Sequence, residues 1–118
     1  MQNSKQYDLE DRTLAFAKKV RAFVNKLRRT TANNEDGKQL IRASGSVGCN
    51  YIEANEALSK KDFCFRIKIC RKEAKESGYW LKLVDTQGDP RQEQERKELE
   101  QEAVELMNIF GSIVRKSE

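Results

Sequence analysis

Histidine is absent from the chain, which removes the side chain best suited to proton transfer near neutral pH and the commonest metal ligand. Cysteine occurs three times, at Cys49, Cys64 and Cys70, an odd number with no CxxC pair. That spacing speaks against a disulfide framework. Their apolar or small-residue neighbours read as the surroundings of reduced core thiols in a cytosolic protein. With no histidine to activate one, none reads as a nucleophile. No apolar run approaches the ~18 residues that span a bilayer, and the opening MQNSKQYDLEDR lacks the apolar core of a signal peptide. The expectation is a non-enzymatic protein that carries no cofactor.

Proline also occurs only once, and 36% of the residues are charged against 37% apolar. A mix rich in Lys, Glu, Leu and Ala favours long amphipathic helices over a sheet, and 118 residues suit one domain with a real core. The net charge is +4, unevenly spread. From Arg12 to Arg29 there are seven cations and no acid, whereas Arg91 to Glu105 carries six glutamates against three cations. Such asymmetry suits an anionic partner or head-to-tail self-association.

Apolar periodicity predicts four helices, at about 8–30, 37–57, 60–87 and 90–115. The first places Leu9, Thr13, Phe16, Val20, Phe23 and Leu27 on one seam at steps of four and three. TANNEDG (31–37) reads as the first break, because Asn33, Asn34 and Gly37 disfavour helix. The second seam is Leu40, Ser44, Val47, Tyr51, Ala54 and Leu58. Ser59 with Asp62 forms a capping box ahead of the third helix, whose seam runs through Phe63, Ile67, Cys70, Ala74, Ser77, Leu81 and Val84. Gly88 is its expected stop, and Asp89-Pro90 restarts the chain as N-cap and first-turn proline. The fourth seam is Leu99, Ala103, Leu106, Phe110 and Ile113. Its first half, RQEQERKELEQE, is charged on every side, as for a helix projecting into solvent or covered by neighbours in an oligomer. Short connections make consecutive helices antiparallel neighbours, so the predicted fold is all-α, an up-down-up-down four-helix bundle in one domain, residues 1–118.

The second helix has a middle of small residues, Ala43, Ser44, Gly45, Ser46, Gly48 and Cys49. Each helical glycine costs about 1 kcal/mol relative to alanine, and close approach of a neighbouring helix is the expected return. A polar row, Gln39, Arg42, Ser46, Asn50 and Glu53, runs along the same helix. Arg42 and Glu53 are ~16 Å apart along the axis, so their partners belong to other helices or other subunits. The row reads as an interface that fixes register or assembly, with a ligand pocket or a solvent-facing row as alternatives.

Three further groups of residues could carry function. Lys18, Arg21, Arg28 and Arg29 on the first helix, with Lys68, Arg71, Lys72 and Lys75 on the third, form basic stripes able to neutralise phosphates. The plain alternative is a solvated face paired with Glu73, Glu76 or the acidic half of the fourth helix. Tyr79-Trp80 and Tyr51 could stack on unpaired bases, although such aromatics more often serve a core or subunit interface. Glu53 with Glu56 and Glu73 with Glu76 evoke a di-iron bundle, but that site needs Glu-x-x-His. In an antiparallel pair Glu73 also lies ~13 Å beyond the residue facing Glu53. No metal is expected.

IRASGSVGCNYIEANEALSKKDFCFRIKICRKEAKESGYWLKL (41–83) resembles the central signature of the four-helix bundle proteins linked to 23S ribosomal RNA intervening sequences, and ELMNIFGSIVRK (105–116) resembles the end of the same family. The Ser46-x-Gly48-x-Asn50 arrangement, then Glu53, then SKKDF, carries the likeness. It implies a small cytosolic bundle assembling into a ring, typically a pentamer, often encoded inside insertions in ribosomal RNA genes. The family is also similar in fold to accessory proteins of diversity-generating retroelements, which work beside a reverse transcriptase and nucleic acid. Where many relatives place a glycine soon after the glutamate matching Glu53, this chain has Ala54-Asn55-Glu56, which lengthens the second helix slightly. With the resemblance, the expected function is non-enzymatic binding of RNA or a ribonucleoprotein through the basic surface of a homopentamer. The alternative is a protein-interaction adaptor with no nucleic-acid role.

Overall fold

Local chemistry at the helix ends decides where the chain turns. In the computed structural model, which describes the backbone of residues 4–118 and side chains from Leu9 onward, four helices form: α1 (Ser4–Lys26), α2 (Thr31–Asn55), α3 (Lys60–Leu83) and α4 (Pro90–Ser117). Ser59 and Asp89 cap α3 and α4 as the sequence predicts. The Ser59 hydroxyl accepts from the Asp62 N–H, and the Asp89 carboxylate accepts from the N–H groups of Arg91 and Gln92.

The first break differs from expectation. α1 ends at Lys26, and TANNEDG is the opening of α2 rather than a loop. Thr30, extended at φ −132°, is the N-cap, its side chain accepting from the Asn33 N–H at 3.0 Å. Asn33 is buried at 4% exposure, and its amide joins both loops at this end of the bundle. Nδ2 donates to the carbonyls of Arg28 (3.0 Å) and Asp85 (2.9 Å), and Oδ1 accepts from the Asp85 N–H (2.9 Å). These tertiary bonds outweigh the weak helix propensity of asparagine, a matter of under 1 kcal/mol. They also account for the second difference, because Val84, with ψ of 145°, ends α3 before Gln87 is reached. Gly88 therefore sits in the following loop, where Gln87 (φ 54°) and Gly88 (φ 78°) are both left-handed.

The predicted seams are buried almost throughout. Phe16, Val20, Phe23, Leu40, Val47, Ile67, Leu81, Leu106 and Phe110 form the centre of the core. Leu58 is the exception, 99% exposed, because α2 stops at Asn55 and the periodicity no longer applies. At the end of α4 the seam steps from Phe110 to Val114 rather than Ile113, a step of four that keeps a straight 3.6-residue helix facing the core.

Among the described residues α1 touches α2 and α4, and α3 touches α2 and α4, while α1 and α3 lie across the diagonal. Along α2 the partners on α3 run in falling order: Asn33 with Asp85, Arg42 with Glu73 and Glu76, Val47 with Cys70, Asn50 with Arg66.

The glycines of α2 face α1. A Cβ on Gly48 would lie 3.0 Å from Thr13 Oγ1 and 3.3 Å from Thr13 Cβ, and one on Gly37 would lie 3.0 Å from Val24 Cγ1. The small-residue face therefore lets α1 and α2 approach closely, as its composition implies. The charged first half of α4 does not project into solvent. It packs on α1, where Arg12 pairs with Glu102 (2.7 Å) and Glu105 (2.8 Å), Lys26 pairs with Glu95, and the Gln92 side chain donates to the Lys26 carbonyl. The α1–α4 seam is thus held by charge where apolar residues are scarce.

Carboxylates in and near this seam are biased toward ionisation. Bonds from Gln101 and then Arg12 hold Glu105 below its ordinary value of 4.5, and bonds from Arg96 and then Thr86 do the same for Glu93. A depressed carboxylate contributes stability that is complete above pH 4.5 and is lost as pH falls through its lower folded value. Melting temperature is accordingly expected to fall as pH is lowered below 4.5. A Glu105→Gln variant should show a shallower fall, measured by circular-dichroism melts from pH 6 to about 3. A slope unchanged by that substitution would deny Glu105 a part in the seam.

Candidate nucleic-acid interface and polar seam

The seven cations from Arg12 to Arg29 point in three directions. Five of them are on α1, and Arg28 and Arg29 lie in the loop beyond its end rather than on the helix the sequence predicts. Arg12 and Lys26 face α4, and Lys19 joins Glu95, Glu98 and Glu102 along the same groove. Lys18 and Arg21 face α2, with the Arg21 guanidinium over Gly45 and Nη1 donating to the Ala17 carbonyl at 3.2 Å. Arg28 and Arg29 stand at the end of the bundle, where Arg28 donates to the Gln87 amide oxygen at 3.0 Å. On α3, Lys68 pairs with Glu118 at 3.3 Å, Arg71 lies along Gly111, and Lys75 lines a groove between α3 and α4 with Tyr79 and Lys82. Lys72 is exposed.

Lys18 and Arg21 on α1 and the four cations of α3 therefore occupy diagonally opposite helices and present separate surfaces, with Arg28 and Arg29 in the loop after α1. All eight of these cations are exposed, and among the described residues only Lys68 has a carboxylate partner.

The polar row of α2 meets α3. Arg42 reaches Glu76 at 3.1 Å and Glu73 at 3.6 Å, with the Gln39 side chain accepting from its Nε at 3.4 Å. Asn50 donates to the carbonyl and hydroxyl of Ser46, both at 2.9 Å, and accepts from Arg66 at 3.1 Å. Glu53 is exposed beyond this network. The sequence implies partners for Arg42 and Glu53 on other helices or other subunits; Arg42 meets its partners on α3, whereas Glu53 meets none among the described residues. Nothing in the sequence marked Arg66, Glu73 and Glu76 as those partners, because only the packed register of α2 on α3 brings them opposite. The same holds for Asn33, which reads in the sequence as a loop former.

Tyr51 is half-buried against Phe110, ring centroids 5.7 Å apart, and Trp80 is half-buried edge-on to the exposed Tyr79 at 5.4 Å. Cys70 is a core thiol, and burial pushes its pKa up to about 12, which keeps it protonated and inert. Cys64 is half-buried. Cys49, read from sequence as another core thiol, is exposed, since its position on α2 faces outward between α1 and α2. No three acidic or thiol side chains among the described residues gather as a metal site, and none of the described helices is long and apolar enough to cross a membrane.

Four long helices around one core, with glycine-mediated packing of α1 on α2 and a polar seam from α2 to α3, define an all-α four-helix bundle. The chain belongs to the 23S rRNA-intervening sequence protein family, whose model matches residues 5–112. It is also similar to a crystal structure at 1.70 Å of a protein with unknown function from the S23 ribosomal protein family of Bacteroides thetaiotaomicron VPI-5482. The two share 30% identity with a TM-score of 0.72, over 89% of this chain and 96% of that one. No curated protein matches the chain.

Proposed function

We propose that this chain is a non-enzymatic, cytoplasmic, antiparallel up-down-up-down bundle that assembles into a homopentameric ring and binds RNA or a ribonucleoprotein through its basic surfaces. The observation that carries the proposal is the exposure of eight stripe cations, seven of them without a carboxylate partner among the described residues. Exposed cations without a carboxylate partner remain available for phosphates, and here they cluster on two surfaces. Ring assembly accounts for the diagonal placement, since neighbouring subunits could bring an α1 stripe beside an α3 stripe and raise the combined affinity. Membership of a family named for 23S rRNA intervening sequences favours RNA as the polyanion.

Fluorescence anisotropy of nucleic-acid-free protein against structured RNA and DNA tests this, with little sequence preference expected. Four phosphate contacts on a duplex correspond to roughly 150-fold weaker binding at 200 mM than at 50 mM salt. An Arg21→Glu/Arg28→Glu double variant is expected to lose binding by at least about tenfold while keeping its helical spectrum. Full affinity in that folded variant would sink the assignment of the α1 stripe, and indifference to RNA at low salt would favour an adaptor. The adaptor has one observation of its own, an apolar groove between α1 and α2.

A further inference from the structure

The groove between α1 and α2 is open and about 760 Å³ in volume. Ala17, Ile41, Gly45 and Gly48 lie along it, and Leu14 and Ile52 flank it while 53% and 50% exposed. Large side chains left half in water on both walls of one depression differ from the scattered exposed leucines of any surface.

Gly45 sharpens the point. Gly48 and Gly37 are required by contacts within the chain, but a Cβ on Gly45 would meet only the guanidinium of Arg21, at 3.4 and 3.8 Å. The far end of an arginine moves easily, so nothing inside the subunit demands glycine there. The helix-propensity cost relative to alanine has no return within the fold. A helix laid against α2 would supply one, because a glycine in the floor permits the short interaxial distances near 8 Å.

Charge then selects the occupant. Lys18 and Arg21 rise along the α1 wall without a carboxylate partner among the described residues, while Arg42 on the α2 wall is engaged by Glu73 and Glu76. The one acid on the lining, Glu10, lies at the far end and accepts a bond from Asn55. From Glu10 to Arg21 the groove runs along three turns of α1, ~16 Å.

We infer that the α1–α2 groove docks an amphipathic helix of another protein, about three turns long, with an apolar stripe seated between Leu14 and Ile52 over Gly45 and acidic residues facing Lys18 and Arg21. The inference goes beyond RNA binding but shares Lys18 and Arg21 with it, so a docked helix competes with nucleic acid there and leaves Arg28, Arg29 and the α3 stripe free.

Cys49 lines this groove and is exposed, Cys64 is half-buried outside it and Cys70 is buried, so alkylation at Cys49, read by peptide mass or in a Cys64→Ser background, reports occupancy. The probe is a fluorescein-labelled synthetic 14-residue helix with leucines at i, i+3, i+7 and glutamates flanking them. Two controls accompany it, one with lysine for each glutamate and one with the leucine stripe scrambled. The acidic peptide is expected to bind the full chain at least tenfold more tightly than either control and to slow maleimide labelling of Cys49 at least fivefold. Gly45→Leu, which fills the floor, and Ile52→Glu, which charges a wall, should each abolish the protection while retaining the melting transition.

Equal binding of the three peptides, or unchanged Cys49 labelling in the wild-type chain, would overturn the inference whatever the variants do. Protection that appears on concentrating the protein alone, together with a rise in sedimenting mass, would assign the groove to a second copy instead. Protection by an RNA oligomer but not by the peptide would assign it to nucleic acid. Loss of RNA binding in the Arg21→Glu/Arg28→Glu variant bears on the function proposed above and leaves the peptide result on wild-type protein intact.

Discussion

A Gly48→Leu variant is expected to unfold at a much lower temperature than the parent, whereas Gly45→Ala, three residues earlier on the same helix, should melt at or slightly above it. Any Cβ at position 48 meets Thr13 Oγ1 at 3.0 Å and Thr13 Cβ at 3.3 Å. Thr13 is pinned because its hydroxyl donates to the Leu9 carbonyl at 2.8 Å, and its Cβ cannot turn away without moving α1. Leucine there must push α1 off α2, and overpacking of this kind costs about 3 kcal/mol or somewhat more. For a chain of this size that corresponds to a fall of roughly 10–15 °C. Alanine at 45 displaces only a guanidinium and recovers helix propensity, a gain of about 0.5–1 kcal/mol. Thermal melts of the two variants side by side decide it. Equal stability of the pair would mean that α1 and α2 do not meet at Gly48.

Asn33→Leu is the second large effect. The substitution strands the Arg28 carbonyl and both backbone groups of Asp85, each now bonded to the Asn33 amide at 2.9–3.0 Å. Each backbone group left unmet costs about 1–3 kcal/mol when buried, less where water can enter. With Asp85 itself exposed, a total of about 2–4 kcal/mol is expected. Urea and thermal unfolding should both register it, and hydrogen exchange at the Asp85 amide should accelerate. Asn33→Asp keeps the acceptor and loses the donor, so it should fall between the parent and the leucine variant. A loss below about 0.5 kcal/mol for leucine would show the two loops to be held by something else.

Much of this architecture could be read before any coordinates. Steps of three and four from Leu9 to Leu27, and from Phe63 to Val84, mark faces that are buried in the fold. The capping residues Ser59 and Asp89 act locally, within three residues of their own N–H partners, and so were visible too. The small residues of α2 pointed to close packing. The break between α1 and α2 was not legible. Thr-Ala-Asn-Asn has a weak helix preference, and its helical state depends on a bond from Asn33 to a backbone 52 residues away. The thiols divided in the same way: composition could not separate exposed Cys49 from buried Cys70, because their difference lies in which helix covers them.

Charge shows the division most clearly. The sequence by itself determined that α1 is cationic and the first half of α4 acidic, because those are properties of residues counted along a chain. Only the tertiary structure decided that Arg12 and Lys26 are matched by Glu102, Glu105 and Glu95, while Lys18 and Arg21 face a groove and Arg28 and Arg29 an open end. Helical periodicity is a local property, set by hydrogen bonds four residues apart, and it survives in the sequence as a pattern. The partner of a charge is set by how one helix is rotated against the next, and that rotation is fixed by contacts such as Gly48 on Thr13 between residues far apart in the chain.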